Sequence, residues 1–174
     1  IGYAGSPMPP QTIRRLRERL PGVALHNFFG LTGTISMTHV LPDQDADTRP
    51  ESIGKLLPEV FQKIIDDDGN ELPPGEVGEL CFHRSNVVQG YWGQPGRLEE
   101  SIVDSWFRTG DLAVVDEEGF VTLKGRKKEM IIVAGENVYA LEVENVLYAH
   151  EGVLEAAVVG VPATGARAYL GELV

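Results

Sequence analysis

The sequence predicts an α+β protein whose middle part is rich in β-strands. Its 174 residues include 20 glycines and 11 prolines, so the backbone turns often and long helices should be few. From about residue 52 to residue 124, short apolar runs alternate with turn residues, which is typical of a small barrel or sandwich. After Lys124 the pattern changes to a strand, a helix and a strand, so a second unit is predicted there.

The first part of the chain predicts one short helix and one strand. Apolar residues recur at helical spacing from Ile13 to Leu20, with arginines between them, which favours an amphipathic surface helix. Residues 23–27 predict a strand that leads directly into Phe28–Thr34, a loop rich in glycine and threonine. Loops in this position often bind ligands.

The β-rich part is predicted from turn signals such as Asp67-Asp68-Gly69-Asn70 and Pro73-Pro74-Gly75. The predicted elements are strands over 60–66, 77–84, 106–107, 112–115 and 120–123, with one helix over 97–104. With so many short strands, this part should form a barrel-like subdomain.

The second unit is predicted to contain a strand over 130–133, a helix over 141–150 and a nearly continuous apolar strand over 153–161. From residue 129 onwards it is shorter than the roughly 60 residues at which domains become stable alone. The chain also opens without an initiator Met. We therefore expect a fragment whose natural partner includes the remainder of its own polypeptide.

Charge and cysteine content narrow the partners and the compartment. The 26 acidic and 15 basic residues give a net charge of −11, which argues against a general nucleic-acid or anionic-membrane binder. No apolar run approaches the roughly 20 residues of a membrane helix. Cys81 is the single cysteine, so nothing demands an oxidising compartment, and a cytoplasmic location is expected.

Common site signatures are absent from the sequence, including the phosphate-binding G-x-x-x-x-G-K-[ST] pattern and paired metal-ligand spacings. Cys81 and His83 lie on one face of a predicted strand, but two ligands do not complete a zinc site. No protein-held metal is predicted from the side chains alone.

Three segments carry possible chemistry, each beside a plainer alternative. Phe29-Gly30-Leu31-Thr32 could stack a base and donate to a phosphate, or it is an ordinary loop. The carboxylate of Arg108-Thr109-Gly110-Asp111 could accept hydrogen bonds from a ribose diol, or it caps a turn. Lys124–Lys128 holds four cations in five residues, which suit phosphate contacts or a solvated linker.

Together, these segments resemble motifs of the adenylate-forming enzyme family, which includes acyl-CoA synthetases, luciferases and peptide-synthetase adenylation domains. The similar segments, in family order, are Gly5-Ser6-Pro7 (the adenine segment), Phe29–Gly33 (Y-G-x-T-E), Thr109–Asp111 (T-G-D), Gly125–Ile131 (the G-R-x-K-x-x-I hinge) and Gly135–Tyr139 with Glu142–Glu144. The resemblance runs through nearly the whole chain.

The resemblance implies a reaction in which a carboxylic acid attacks the α-phosphate of ATP, giving an acyl-adenylate, and a thiol such as that of CoA then displaces AMP. It implies that Phe29 stacks the adenine while Gly5, Ser6 and Pro7 line its edge. Nucleotide contacts are implied for Thr32 at the α-phosphate, Asp111 at the ribose hydroxyls and Arg126 across ribose and phosphate.

Further roles implied by the resemblance concern the second half-reaction. Lys128 falls at the hinge about which the small domain rotates, and together with Thr32 and Arg126 it completes the implied catalytic set. Gly135 and Glu136 fall where CoA binds. The family's Mg²⁺-binding Glu is replaced by Gly33, which puts a metal ligand in question.

The resemblance also implies domain boundaries. Residues 1–50 end the α/β part of a large domain, 51–124 form its β-rich subdomain, 125–128 form the hinge, and 129–174 begin a small α+β domain. The family's phosphate loop and adenylating Lys would lie outside this sequence, so the 174 residues alone should be inactive. The favoured interpretation is a fragment of an ATP-dependent acyl-CoA synthetase. The alternatives are a peptide-synthetase-type adenylation domain and a non-catalytic AMP-binding or scaffold module.

Overall fold

A computed structural model describes residues 1–6, 8–34, 36–150 and 152–161. Pro7, one of the predicted adenine-contacting residues, lies outside the described residues. The chain divides into two compact units, Ile1–Leu123 and Lys124–Val174, and each is described by itself.

The first unit is built on one mixed sheet. Its strands are β1 (Gly2–Ala4), β2 (His26–Gly30), β3 (Met37–Leu41), β4 (Ser52–Leu56), β5 (Gln62–Ile65), β6 (Gly78–His83), β7 (Ile102–Val103), β8 (Trp106–Val115) and β9 (Phe120–Arg126). Their order in the sheet is β1-β2-β3-β4-β9-β8-β6-β5, and β7 pairs with β8. Because β3 pairs with β4, the sheet extends across the predicted boundary at residue 50, which remains a prediction.

Two helices accompany the sheet, α1 (Pro10–Arg19) and α2 (Asp43–Ala46). Proline at the first position of α1 sacrifices no helical hydrogen bond, because that N–H has no partner within a helix. Arg17 and Arg19 in its last turn interact favourably with the helix dipole. Ile13 is buried, as the predicted apolar stripe requires. None of the helices among the described residues is long and apolar enough to cross a membrane.

The main core lies on one face of the sheet. It is formed by Ile53, Ile64, Leu80, Phe82, Val87, Leu98, Phe107, Ala113 and Val121. Phe82 of β6 and Phe107 of β8 are paired in register, so the two strands contribute facing aromatic residues to one layer. This core fixes β8, the strand that carries Asp111.

The α+β class is confirmed, but two details of the first unit were predicted wrongly. The described strands form an open sheet and not a closed barrel. The helix expected over 97–104 is a single 3₁₀ turn, Glu99–Ser101, followed by β7. Ile102 and Val103 take extended backbone because they pair with Phe107 and Trp106, and this pairing outweighs local helix preference.

The second unit contains a hairpin and a helix within its described residues. Strands β10 (Ile131–Val133) and β11 (Glu136–Val138) are antiparallel, and α3 spans Ala140–Tyr148. A 3₁₀ turn, Lys127–Glu129, precedes the hairpin.

The strand predicted over 153–161 is wrong, since only an isolated bridge at Gly160 is assigned there. Two hydrogen bonds join backbone groups of this segment to side chains of α3. The N–H of Val158 donates to Glu144 Oε1 at 2.9 Å, and the Tyr148 hydroxyl donates to the carbonyl of Ala156 at 3.2 Å.

Candidate nucleotide-binding site

Two predicted nucleotide-binding loops begin at the same edge of the sheet. β1 and β2 are parallel, with Ala4 paired to Phe28, so the segments that follow both strands emerge side by side. Gly5 and Ser6 follow β1 and are exposed. Crevices at the carboxyl ends of parallel strands are the usual ligand sites of open α/β sheets.

Phe29 lies next to the last residue of β2, and it is half-buried. The ring contacts the imidazole of His39 edge to face, with centroids 5.7 Å apart. Burial lowers the pKa of His39 to about 4, so the imidazole is neutral at pH 7 and its Nε2 lies 2.7 Å from Gln62 Oε1. Phe29 thus packs on a neutral, fixed group while part of its ring stays accessible for stacking.

The loop after Phe29 is shaped by close backbone contacts and one inward hydroxyl. A Cβ at Gly30 would lie 2.5 Å from the carbonyl oxygen of Ser36, so only glycine fits. The buried Thr34 Oγ1 accepts from the Leu31 N–H at 3.0 Å, which closes the 3₁₀ turn Thr32–Thr34. Thr32 is exposed at the start of this turn.

Gly33 joins this loop to the rest of the sheet. A Cβ there would lie 3.0 Å from Phe107 Cζ and 3.2 Å from the Tyr91 hydroxyl. Its carbonyl accepts a hydrogen bond from the Val88 N–H at 2.8 Å. The loop after β2 therefore packs on β8, the strand that carries the Thr109–Asp111 motif. The sequence analysis missed Tyr91, although the turn signal Gly90-Tyr91-Trp92-Gly93 marks its position.

The Thr109–Asp111 motif forms a bulge in β8 and not a simple strand end. Arg108 pairs with Cys81 and Leu112 with Glu79, so three residues of β8 face Leu80 alone. Gly110 has a φ of 76°, which glycine adopts without strain. The Thr109 hydroxyl donates to the Leu80 carbonyl at 2.7 Å and accepts from the Asp111 N–H at 3.0 Å. Asp111 itself is 6% exposed.

A second acidic side chain, Glu79, lies behind this bulge and was not predicted. It is 5% exposed, and its Oε2 accepts from Arg108 Nε at 3.0 Å and Nη2 at 2.6 Å. Its Oε1 accepts from the Gly110 N–H at 3.1 Å. Hydrogen bonding to this carboxylate raises the pKa of the Arg108 guanidinium, which stays charged. The sequence signal was weak because Glu79 lies 29 residues before Arg108.

The remaining predicted residues belong to the second unit. Arg126 ends β9 and is exposed, as is Lys128 in the following 3₁₀ turn. Gly135 forms the hairpin turn with Ala134, and both have positive φ, as tight hairpin turns require. Glu136 is exposed at the start of β11. Lys124 forms an ion pair with Glu142 at 2.6 Å within this unit.

The residues present do not fit a protein-held Mg²⁺. Among the described residues, no group of three His, Cys, Asp or Glu side chains is arranged to hold a metal ion. Gly33 supplies no carboxylate, and the space next to its Cα is occupied by Phe107 and Tyr91. No step in the function proposed below is therefore assigned to a metal held by this chain.

Comparisons with known proteins identify the family of this chain. A family model for AMP-binding enzymes matches residues 1–92. A long-chain-fatty-acid–CoA ligase of Salmonella typhimurium is 46% identical over 160 residues, covering 91% of this chain and 28% of that protein. A fatty acid–[acyl-carrier-protein] ligase of Streptomyces coeruleorubidus is 41% identical over 163 residues, covering 92% of this chain and 31% of that protein.

A solved structure of a CoA synthetase is also similar to this chain. The o-succinylbenzoate CoA synthetase of Bacillus subtilis, in complex with its acyl-adenylate intermediate OSB-AMP, has a TM-score of 0.84 and 34% identity, covering 94% of this chain and 33% of that one. The same enzyme has been solved with ATP and a magnesium ion.

The open mixed sheet with few helices has the fold of the adenylate-forming enzymes. The chain belongs to the AMP-binding enzyme family, which confirms the predicted resemblance. It spans 28% of the length of the long-chain-fatty-acid–CoA ligase that it matches.

Proposed function

We propose that this chain is part of a longer acid–thiol ligase that forms an acyl-adenylate from a carboxylic acid and ATP, then transfers the acyl group to CoA. The observation that carries the proposal is the packing of Phe107 at Gly33. This contact links the loop that bears Phe29 and Thr32 to the strand that bears Asp111. The identity to a long-chain-fatty-acid–CoA ligase supports an acyl substrate.

The proposed chemistry has two displacements. A carboxylate oxygen of the acid attacks the α-phosphorus, and pyrophosphate leaves. The sulfur of CoA then attacks the acyl carbon, and AMP leaves. A positioned hydroxyl contributes most where charge builds in the transition state, which is the role proposed for the exposed Thr32 beside the α-phosphate.

The other proposed residues either contact the nucleotide or act in the domain rotation and CoA binding that follow. Phe29 stacks the adenine, Gly5, Ser6 and Pro7 line its edge, and Asp111 accepts hydrogen bonds from the ribose hydroxyls. The proposed roles of Arg126 at ribose and phosphate, Lys128 as hinge, and Gly135 with Glu136 at CoA rest on the motif resemblance alone.

The acyl acceptor separates two versions of this proposal. CoA is favoured because residues 128–132 and 136–138 resemble the corresponding segments of CoA ligases. The 46% identity of this chain to a fatty-acid–CoA ligase also favours CoA. A carrier-protein thiol is the alternative, supported by the 41% identity to an acyl-carrier-protein ligase.

The test uses the full-length protein with ATP, Mg²⁺ and a series of carboxylic acids of increasing chain length. We expect acid-dependent exchange of labelled pyrophosphate into ATP, followed by thioester formation with CoA. The same acyl-adenylate offered to a phosphopantetheine-bearing carrier protein should react more slowly. The isolated 174 residues should support no exchange, because phosphoryl transfer depends on positioned charge and this chain spans 28% of the length of the fatty-acid–CoA ligase that it matches.

A second candidate is a non-catalytic nucleotide-binding module, and Gly33 specifically favours it. ATP binding by the full-length protein without pyrophosphate exchange for any acid would support this candidate and contradict the ligase.

The variant Gly33→Glu tests whether the absence of a carboxylate at position 33 weakens the use of Mg²⁺. In an active ligase this variant should lower the Mg²⁺ concentration that gives half-maximal adenylation, provided that Phe107 moves by a few tenths of an ångström. Gly33→Gln, which has the same size but no charge, is the control. Equal Mg²⁺ titrations for all three proteins would mean that the carboxylate is not needed here.

A further inference from the structure

Glu79 is a buried acidic side chain whose carboxylate accepts hydrogen bonds from three N–H groups. Both oxygens of its carboxylate are used, one by the Gly110 N–H at 3.1 Å and the other by the Arg108 guanidinium at 2.6 and 3.0 Å. The side chain of Glu79 is 6% exposed, whereas that of Arg108 is 29% exposed. A carboxylate this deeply buried is stabilised only by such charge-assisted hydrogen bonds.

These bonds fall at the point where the strand ladder is interrupted. The three residues Thr109–Asp111 face Leu80 alone, so regular pairing with β6 cannot hold them. The Gly110 N–H is held by Glu79 instead, while the Thr109 hydroxyl holds the Asp111 N–H. The two peptide groups that flank the Cα of Gly110 are therefore each held by a side chain.

We propose that Glu79 is a positioning residue that, together with Arg108, fixes the β8 bulge so that the Asp111 carboxylate is presented to the two ribose hydroxyls of the nucleotide. This proposal rests on the function proposed above. Glu79 does not touch the nucleotide; it acts through Gly110, the residue directly before Asp111. Groups that orient a binding residue commonly matter almost as much as the residue itself.

The substitution Glu79→Gln tests this role with almost no change in volume. An amide has one acceptor oxygen, so its NH₂ group would face at least one of the three N–H donors. The bulge should then lose its fixed conformation while the core residues around it keep their packing. Arg108→Gln removes the cation from the other side of the pair, at a side chain that is 29% exposed.

The experiment measures calorimetric affinities of the full-length protein for ATP and for 2′,3′-dideoxy-ATP, which lacks both ribose hydroxyls. For Glu79→Gln we expect about tenfold weaker binding of ATP and less than about twofold change for the dideoxy analogue. Arg108→Gln should show the same selectivity with a smaller loss. Asp111→Asn is the reference variant, and Arg97→Gln, which alters an exposed ion pair with Glu100, is the matched control without effect.

The pattern of losses decides between the explanations. If Asp111→Asn discriminates between the two nucleotides but neither Glu79→Gln nor Arg108→Gln does, the positioning role is overturned and the ribose assignment stands. If Asp111→Asn itself weakens both nucleotides equally, the assignment of Asp111 fails first. Should Glu79→Gln not fold, as judged by circular dichroism, Arg108→Gln alone carries the test.

Discussion

The two units of the chain differ in where their apolar side chains lie. Among the described residues, the buried ones all belong to Ile1–Leu123, where Leu80 and Phe82 have no exposed surface. In the described part of the second unit no residue is buried, and Val146 of α3 and Leu154 are 73% and 91% exposed. The first unit thus holds its site residues on a packed core, whereas the second holds its motif on a short hairpin and a helix.

This difference separates two kinds of structural information in the sequence. The second unit's elements depend on contacts between near neighbours, such as the pairing of Val133 with Glu136. The first unit depends on distant pairings, such as Ser52 with Thr122 and Phe82 with Phe107. Substitutions of buried residues in the first unit should therefore disturb folding more than substitutions in the second unit.

The largest effect is expected when a buried side chain of the first unit and an exposed side chain of the second unit are each replaced by alanine. Phe82→Ala removes a fully buried ring and should lower the free energy of unfolding by about 3–5 kcal/mol. Val146→Ala removes two methyl groups from a side chain that is 73% exposed and should change it by less than about 0.5 kcal/mol. Urea unfolding followed by far-ultraviolet circular dichroism measures both. Similar losses for the two variants would show that α3 is as tightly packed as the sheet.

The next test concerns ligand binding in the first unit. Asp111→Ala removes the carboxylate that we propose to accept two charge-assisted hydrogen bonds from the ribose, and it should weaken ATP binding about a hundredfold, or about 3 kcal/mol. Asp116→Ala is the control, because Asp116 lies in the turn between β8 and β9 and pairs with Arg49. It should cost stability but leave nucleotide affinity unchanged. Unaltered ATP affinity in Asp111→Ala would remove Asp111 from the site.

Much of the local structure could be predicted, because it is encoded by short-range patterns. The apolar period from Ile13 to Leu20 predicted α1, and the glycine-rich turns predicted strands close to β5 and β6. What could not be predicted depends on residues far apart in the sequence. The open sheet order required pairings such as β4 with β9, and the segment after Arg97 became extended because Trp106 and Phe107 offered it a partner.

The candidate site shows the same limit. The positions of Phe29, Thr32 and Asp111 could be predicted from motifs, since each motif is contiguous. Glu79 could not be, because nothing near it in sequence signals a hydrogen bond to Gly110. The packing of Phe107 and Tyr91 at Gly33 could not be predicted either, because it depends on the path of β8 through the core.

A pH-dependent prediction follows from the burial of His39 in the first unit. Burial lowers its pKa from 6.5 to about 4, so between these values the unfolded chain takes up a proton that the folded chain does not. The stability contribution is therefore fully present above pH 6.5 and declines by about 3 kcal/mol as the pH falls to 4. His39→Leu should flatten this part of the profile, measured as urea unfolding against pH. An unchanged slope in the variant would contradict the assignment.

The smallest expected effect tests the second unit, where Lys128 lies in the 3₁₀ turn after Arg126. If its backbone torsions change between adenylation and thioester formation, few other residues can absorb the motion. Proline fixes φ near −65°, removes an N–H and disfavours helical torsions at the residue before it. In the full-length protein, Lys128→Pro should preserve pyrophosphate exchange while CoA-dependent turnover of preformed acyl-adenylate falls at least about tenfold, or about 1.4 kcal/mol of barrier. Lys128→Ala removes the side chain without restricting the backbone, so it measures any contribution of the side chain that must be subtracted from the loss in Lys128→Pro. Equal loss of both half-reactions in Lys128→Pro, or loss of neither, would show that the pivot lies elsewhere.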